Sequence, residues 1–252
     1  MAYNNNSFVW YENASDNKDA AKAFYTEVIG WKTHEMDMGP AGTYVSLVAG
    51  DKPRGGLVAA APGVPSHWVS YLRVEDVDAT TAAAKGNGGS ILAEPFSVPG
   101  VGRISVIADP QGAAFALFHE ADEAGASNAP AGDGAFHWTE LWAKDIHAVL
   151  PFYEKTFGIT SEKMPMPDGD YYVLKHGDAM VGGAMQSKIE EAPAMWLPWI
   201  EVADVDATVA RATSKGGDVK APAFSVPGVG YMSIIGDSNG AVVGVITPAQ
   251  QG

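Results

Sequence analysis

Residues 96–102 read Phe-Ser-Val-Pro-Gly-Val-Gly, and residues 224–230 read the same. The separation of 128 positions also carries Asp76-Val77-Asp78-Ala79-Thr80 onto Asp204-Val205-Asp206-Ala207-Thr208. It matches Phe24-Tyr25 with Phe152-Tyr153, Glu12 with Glu140, Trp68 with Trp196, Asp109 with Asp237 and Gly112 with Gly240. A period this long marks a duplicated domain, because solenoid units recur every 20–50 residues or so. The expected organisation is a first domain at residues 1–120, a linker at 121–135 and a second domain at 136–252. The linker is made of Ala, Gly, Asp, Glu, Ser, Asn and Pro without apolar periodicity.

Each half has the same predicted order of elements. In the first, residues 8–13 read as a strand, and Asp16 stands where a helix N-cap is expected, with acidic Asp19 three residues on. Ala20, Ala21, Phe24, Tyr25, Val28 and Ile29 follow at helical spacing, and Gly30 stops the helix. Three short strands come next, broken at Gly39-Pro40 and Gly50-Asp51. A second strand–helix unit begins at Trp68, with a helix over 76–85, and three further strands close the half. The pattern is βαβββ, twice per half and four times in the chain. Pro151 falls inside the first helix of the second half, which predicts a kink or a late start there.

The 252 residues suffice for two buried cores. With 46% hydrophobic and 18% charged residues the composition is that of folded chains. A net charge of −14 argues against a nucleic-acid partner, which needs clustered Lys and Arg. The absence of cysteine excludes disulfides, thiolate metal sites and a Cys nucleophile. Residues 1–7 are polar, with no signal-peptide pattern, and no run reaches the ~18–20 apolar residues a membrane span needs. A cytoplasmic protein with no membrane partner is expected. No P-loop, dinucleotide fingerprint or Gly-x-Ser-x-Gly elbow is present.

The series of strand, Asp16 to Trp31, Val74 to Ala79, and Asp109-Pro110-Gln111-Gly112 before a last strand resembles the glyoxalase / bleomycin-resistance / extradiol-dioxygenase (vicinal oxygen chelate) superfamily. Within it the chain is similar to the tandem type described as a glyoxalase or hydroxylase. The second half carries looser copies at residues 152–158, 202–207 and 237–240. The resemblance implies an α+β fold: four βαβββ modules forming two incomplete eight-stranded barrels, each a cup with the site on its floor. It also implies a divalent metal held by His and Glu from the first, fifth and last strands. By spacing, those positions fall at Trp10, Val69 and Ala116, and at Trp138, Leu197 and Gly244. None of these side chains ligates a metal, so no metal site and no cofactor are expected. His67, His119 and His137 lie nearby, but a one-residue shift in a strand reverses the face, and they read as surface or satisfied histidines.

Strand alternation predicts that Trp10, Glu12, Tyr71, Arg73, Arg103 and Phe118 line the first cup. Trp138, Glu140, Trp142, Trp199, Glu201 and Tyr231 line the second, with Tyr44 and Tyr172 joining from the third strands. Ala116 and Gly244 leave room on the floors. Ring faces suit a flat, conjugated ligand. Glu12 has Arg73 or Arg103 as prospective partners, whereas Glu140 and Glu201 have no evident cation. Two readings follow. One is metal-independent binding of a small planar aromatic molecule, as in sequestration or resistance, with the more aromatic second cup occupied. The other is a metal-free glyoxalase-like or hydroxylase-like enzyme using Glu140 or Glu12 as acid or base. Sequence does not decide whether a reaction is catalysed, and both a monomer and a homodimer are compatible with it.

Overall fold

The computed structural model describes residues 6–39, 42–121, 132–166, 169–189 and 191–249. Most of the expected linker, and the Gly39-Pro40 break in part, lie outside these residues. The first half runs β1 (Phe8–Ser15), α1 (Lys18–Val28), β2 (Lys32–Asp37), β3 (Thr43–Ala49), β4 (Lys52–Ala59), β5 (His67–Arg73), α2 (Val77–Gly86), β6 (Ser90–Val98), β7 (Gly102–Ala108) and β8 (Ala114–Glu120). The second runs β9 (Phe136–Ala143), α3 (Ile146–Phe157), β10 (Thr160–Met166), β11 (Gly169–His176), β12 (Ala179–Gln186), β13 (Met195–Glu201), α4 (Val205–Ser214), β14 (Asp218–Val226), β15 (Gly230–Gly236) and β16 (Val242–Pro248). This is βαβββ four times, an α+β chain as the repeat predicts.

Two eight-stranded mixed sheets result, in the orders β2-β3-β4-β1-β5-β8-β7-β6 and β10-β11-β12-β9-β13-β16-β15-β14. β1 with β4, β5 with β8, β9 with β12 and β13 with β16 are parallel; β7 with β8, β10 with β11 and β15 with β16 are antiparallel.

The helices form where an acceptor side chain satisfies the first free amides. Asp76, Asp145 and Asp204 each accept from the amide three residues on. For α1 the N-cap is Asn17 rather than Asp16: Asn17 Oδ1 accepts from the Ala20 amide, while Asp16 accepts from the Ser66 hydroxyl. The inward stripe of α1 is Ala21, Phe24, Tyr25 and Val28, the spacing a 3.6-residue period buries. α3 neither starts late nor ends at Pro151 but runs through it, and closes at Gly158, whose φ of 66° only glycine adopts without strain.

The described residues pack as two compact units. One draws on residues 1–10, 70–128 and 139–196, the other on 11–69, 129–138 and 197–252. Neither coincides with a sequence half. In the first unit Leu72, Ile107, Phe115 and Leu117 pack with Leu141, Val149, Tyr153 and Trp196. There the Tyr153 hydroxyl donates to Asp109 Oδ2 (2.8 Å) and accepts from the Trp196 indole (3.1 Å), while Asp109 Oδ1 accepts the Gln111 and Ala113 amides. The second unit repeats the arrangement. Tyr25 donates to Asp237 Oδ2 (3.0 Å), Trp68 donates to Tyr25 (2.8 Å), and Asp237 Oδ1 takes the Asn239 and Ala241 amides. The Phe-Tyr and Asp-x-x-Gly motifs are therefore structural: each Asp turn grips the Tyr of the other sequence half. Burial pushes both tyrosine hydroxyls well above their ordinary range, and the neighbouring carboxylate adds to it.

Candidate functional site

Alternation along each strand separates a face that meets the helices from one that does not. On β9, Leu141 and Ala143 join the core, so Trp138, Glu140 and Trp142 point to the helix-free face. On β1, Asn13 bonds Tyr25 and Asp237 on the helix side, so Trp10 and Glu12 point the other way. On β5, Trp68 and Leu72 are core residues, which leaves Val69, Tyr71 and Arg73 on the helix-free face. On β13, Trp196 is in the core, which leaves Leu197, Trp199 and Glu201 there.

Strand register then assembles the platform in the first unit. Trp142 pairs with Met185, Met185 with Tyr171, and Tyr171 with Met164, so these four side chains form one row across β9, β12, β11 and β10. The next row begins with Glu140, which is opposite Gly183. Glu140 is 7% exposed. Its carboxylate accepts the Trp142 indole N–H at 2.5 Å and a hydrogen bond from Tyr171. Burial nevertheless raises its proton affinity above that of an ordinary glutamate, because two neutral donors do not replace lost hydration. The result is a buried carboxyl of raised proton affinity held by an indole and a phenol.

The corresponding first-half rows lie in the second unit and are plainer. Glu12 is opposite Gly56, and Gly56 is needed because the Tyr44 hydroxyl lies only 2.0 Å from where a Cβ would stand. β1 carries Ala14 where β9 carries Trp142, so the second half has the richer aromatic surface.

Also in the first unit, Phe96, Ile104, Phe118 and Arg73 form an in-register row across β6, β7, β8 and β5. Tyr71 meets Phe118 edge-on at 6.3 Å. Arg73 Nε lies 2.8 Å from both Glu120 oxygens. In the second unit the row is Phe224, Met232, Ile246 and Glu201. Glu201 accepts the Gly132 amide at 3.1 Å and has His137 at 3.5 Å.

Three predicted positions are corrected. Arg103 does not face the site: it pairs with His119 on the helix-bearing face and forms a salt bridge with Asp78 of α2. Tyr231 likewise donates to Asp206 of α4 at 3.0 Å. Their neighbours Ile104 and Met232 take the helix-free face. Tyr172 is a core residue stacked edge-on against His147, and Tyr171 holds the position beside Glu140. For Tyr172 the cause is a slip of one in the repeat. Between β3 and β4 the offset is 127, since Glu12 pairs with Gly56 and Glu140 with Gly183. The glycine doublets 55–56 and 182–183 carried that signal in the sequence.

The metal positions implied by the resemblance fail a test of donor chemistry. Trp10, Val69 and Ala116, and Trp138, Leu197 and Gly244, offer indole, alkyl or no side chain. At Gly244 an added Cβ would meet the Trp199 ring at 2.2 Å, so the room expected on that floor is filled by the indole. His67 Nδ1 lies 2.8 Å from the Pro65 carbonyl and His119 Nδ1 2.8 Å from the Val74 carbonyl. Among the described residues no three His, Asp or Glu side chains gather as a metal site, and none of their helices is long and apolar enough to cross a membrane.

Comparison with known proteins gives a consistent picture. The family "Glyoxalase/Bleomycin resistance protein/Dioxygenase superfamily" matches residues 8–117 and 135–245. A Mycobacterium tuberculosis protein named "Putative glyoxylase CFP32" is 34% identical over 248 residues, covering 96% of this chain and 95% of that one. The anthracycline biosynthesis protein DnrV of Streptomyces peucetius is 30% identical, covering 84% of this chain and 82% of that one. Among solved structures, the Mn(II)-bound glyoxalase from Novosphingobium aromaticivorans superposes with a TM-score of 0.64 at 20% identity, over 96% of this chain and 81% of that one. The 2,3-dioxygenase LapB from Pseudomonas sp. KL28 does so at 0.63 and 13%, over 98% and 92%. The last two speak to fold alone.

Proposed function

The chain belongs to the glyoxalase/bleomycin resistance protein/dioxygenase superfamily, and on that premise we propose that it binds a small planar aromatic molecule on the helix-free face of its strands without a metal ion. The observation that carries this reading is the row Trp142, Met185, Tyr171 and Met164 beside buried Glu140. Indole and phenol rings offer flat, polarisable faces, and thioethers adapt to a ring edge. A few polar groups within an apolar surface are the usual anatomy of a small-molecule site. The names of two relatives place them in anthracycline biosynthesis, and fused planar rings are the ligand class this surface suits. Trp10, Glu12, Tyr71, Arg73 and Phe118 take the helix-free face of their own strands in the first sheet, and Trp138, Trp199 and Glu201 that of theirs in the second.

Titrating the protein with a panel of fused-ring aromatics while following tryptophan emission tests the reading. Saturable quenching by at least one compound, reduced by Trp142→Ala, is the expected result. No response across the panel overturns it. Elemental analysis of the purified protein tests the metal clause, with stoichiometric manganese, nickel, zinc or iron as the adverse result.

One observation favours a second reading, in which the protein is an enzyme. Glu140 is a buried carboxyl whose proton affinity is raised by burial, the direction that suits a glutamate to general acid or base work. In that case Glu140→Gln abolishes turnover of a bound ligand while leaving its affinity within about threefold, or ~0.7 kcal/mol. Undiminished turnover removes Glu140 from the chemistry.

A further inference from the structure

The edge strands carry a sulfur pattern that the aromatic-ligand reading does not absorb. β2 and β10 each stand at one end of a sheet. Residues 32–38 read Lys-Thr-His-Glu-Met-Asp-Met, and residues 160–166 read Thr-Ser-Glu-Lys-Met-Pro-Met. Over these two aligned stretches the copies agree only at the two methionines. Met36, Met38, Met164 and Met166 are 46%, 38%, 45% and 36% exposed. A single exposed apolar side chain is ordinary. Outward positions on an edge strand tolerate almost any residue, yet the same pair stands in both copies while every neighbour differs.

Strand geometry puts each pair on one side. In the second unit Glu35 turns to Lys22 of α1, so Met36 takes the opposite, helix-free face and pairs across the strand with Tyr44. Met38 follows on that side, one residue past β2, its amide bonded to the Gly42 carbonyl at 2.8 Å. In the first unit Lys163 is opposite the core residue Tyr172 and Met164 is opposite Tyr171, so Met164 and Met166 share the face away from that core. Two residues of strand span about 6.7 Å, and each thioether swings on three rotatable bonds. The two sulfurs of a pair therefore reach opposite sides of one small ion. Met180 is the contrast. It is 63% exposed, but Asp178 and Gly182 stand two residues away on either side.

We propose that each Met-x-Met pair is a chelating site for Cu(I). Thioether sulfur is a soft donor, which Mg, Ca and Mn pass over and Cu(I) accepts. Cu(I) takes a low coordination number, so two donors on an open strand suffice. The chain has no cysteine to compete for the ion, and its net charge of −14 draws cations to the surface. The proposal is independent of the aromatic-ligand reading. Met164 belongs to the aromatic row as well, so the test is read on Met36 and Met38, which do not.

The full chain, labelled with ¹³C at the methionine methyls, is titrated with Cu(I) without air and with excess ascorbate. The methyl signals of Met36 and Met38 are expected to move together, with a midpoint about tenfold below that of Met180, equivalent to ~1.4 kcal/mol. Met38→Leu leaves Met36 a lone thioether and is expected to raise its midpoint to that of Met180. Met36→Leu read at Met38 is the reciprocal measurement, and the methyl signal of buried Met232 reports that the fold is intact in both variants. A Met180 signal that titrates alongside the wild-type pair overturns the proposal. So does a Met36 or Met38 midpoint that stays put when its neighbour is replaced by leucine.

Discussion

At the residue scale, Glu140 links the site to pH. Burial raises its proton affinity in the folded chain, and the indole and phenol donors only partly offset this. The folded state therefore binds the Glu140 proton more tightly than the unfolded state does. Its contribution is fully present below the ordinary glutamate range and is lost as pH rises through the raised value. Glu140→Gln replaces the carboxyl with a permanently neutral isostere. Thermal unfolding across acidic to neutral pH is expected to show the wild-type chain losing stability relative to the variant as pH increases; parallel curves would contradict the assignment. Gly244 makes the second residue-scale prediction. Its alanine variant puts a methyl within 2.2 Å of the Trp199 ring, an overpacking that costs ~1–3 kcal/mol. Denaturant titration measures it, and a loss under ~0.5 kcal/mol would mean that the indole has room to move.

At the scale of elements, the Asp turns before β8 and β16 and the tyrosines of α3 and α1 act as clamps. Tyr153→Phe deletes the donor to buried Asp109 and the acceptor of the Trp196 indole together. Leaving two buried polar groups short of a partner costs ~1–3 kcal/mol. Tyr25→Phe is expected to cost as much, since Asp237, Trp68 and Asn13 converge on the same hydroxyl. A melting temperature unchanged in either variant would show the clamp to be dispensable. These elements were legible in the sequence because helices announce themselves by caps and a 3.6-residue period, and the repeat confirms each one twice. The faces of Glu12, Glu140, Tyr71 and Trp199 follow from the two-residue period of a strand, although burial itself does not alternate along these strands. Arg103 and Tyr231 were misplaced because β7 and β15 carry polar residues on the helix-bearing side, held there by Asp78 and Asp206. Hydropathy is blind to such pairs. Tyr171 was missed because a one-residue change in the repeat offset inverts a strand, and two adjacent tyrosines hide the inversion.

At the scale of the whole molecule, duplication and packing follow different boundaries. The family match divides the chain into residues 8–117 and 135–245, yet each compact unit draws strands from both halves. A fragment ending at residue 121 keeps Tyr25 without Asp237 and Asp109 without Tyr153. It also exposes Leu72, Phe115 and Leu117, which pack on residues of the other half. That apolar face cannot stay in water as a stable monomer. The repeat supplies a substitute: a second copy of the fragment can offer its own Asp109 turn to Tyr25, since the two Asp turns have the same form. The fragment is thus expected to sediment as a homodimer or to unfold, whereas mixing it with residues 132–252 is expected to yield a heterodimer of higher melting temperature, because only that pairing restores the Asn13–Asp237 contact. Sedimentation of each fragment alone and of the equimolar mixture decides this. A folded monomeric half would show that the hydrogen bonds and apolar contacts between sequence halves are incidental to the fold.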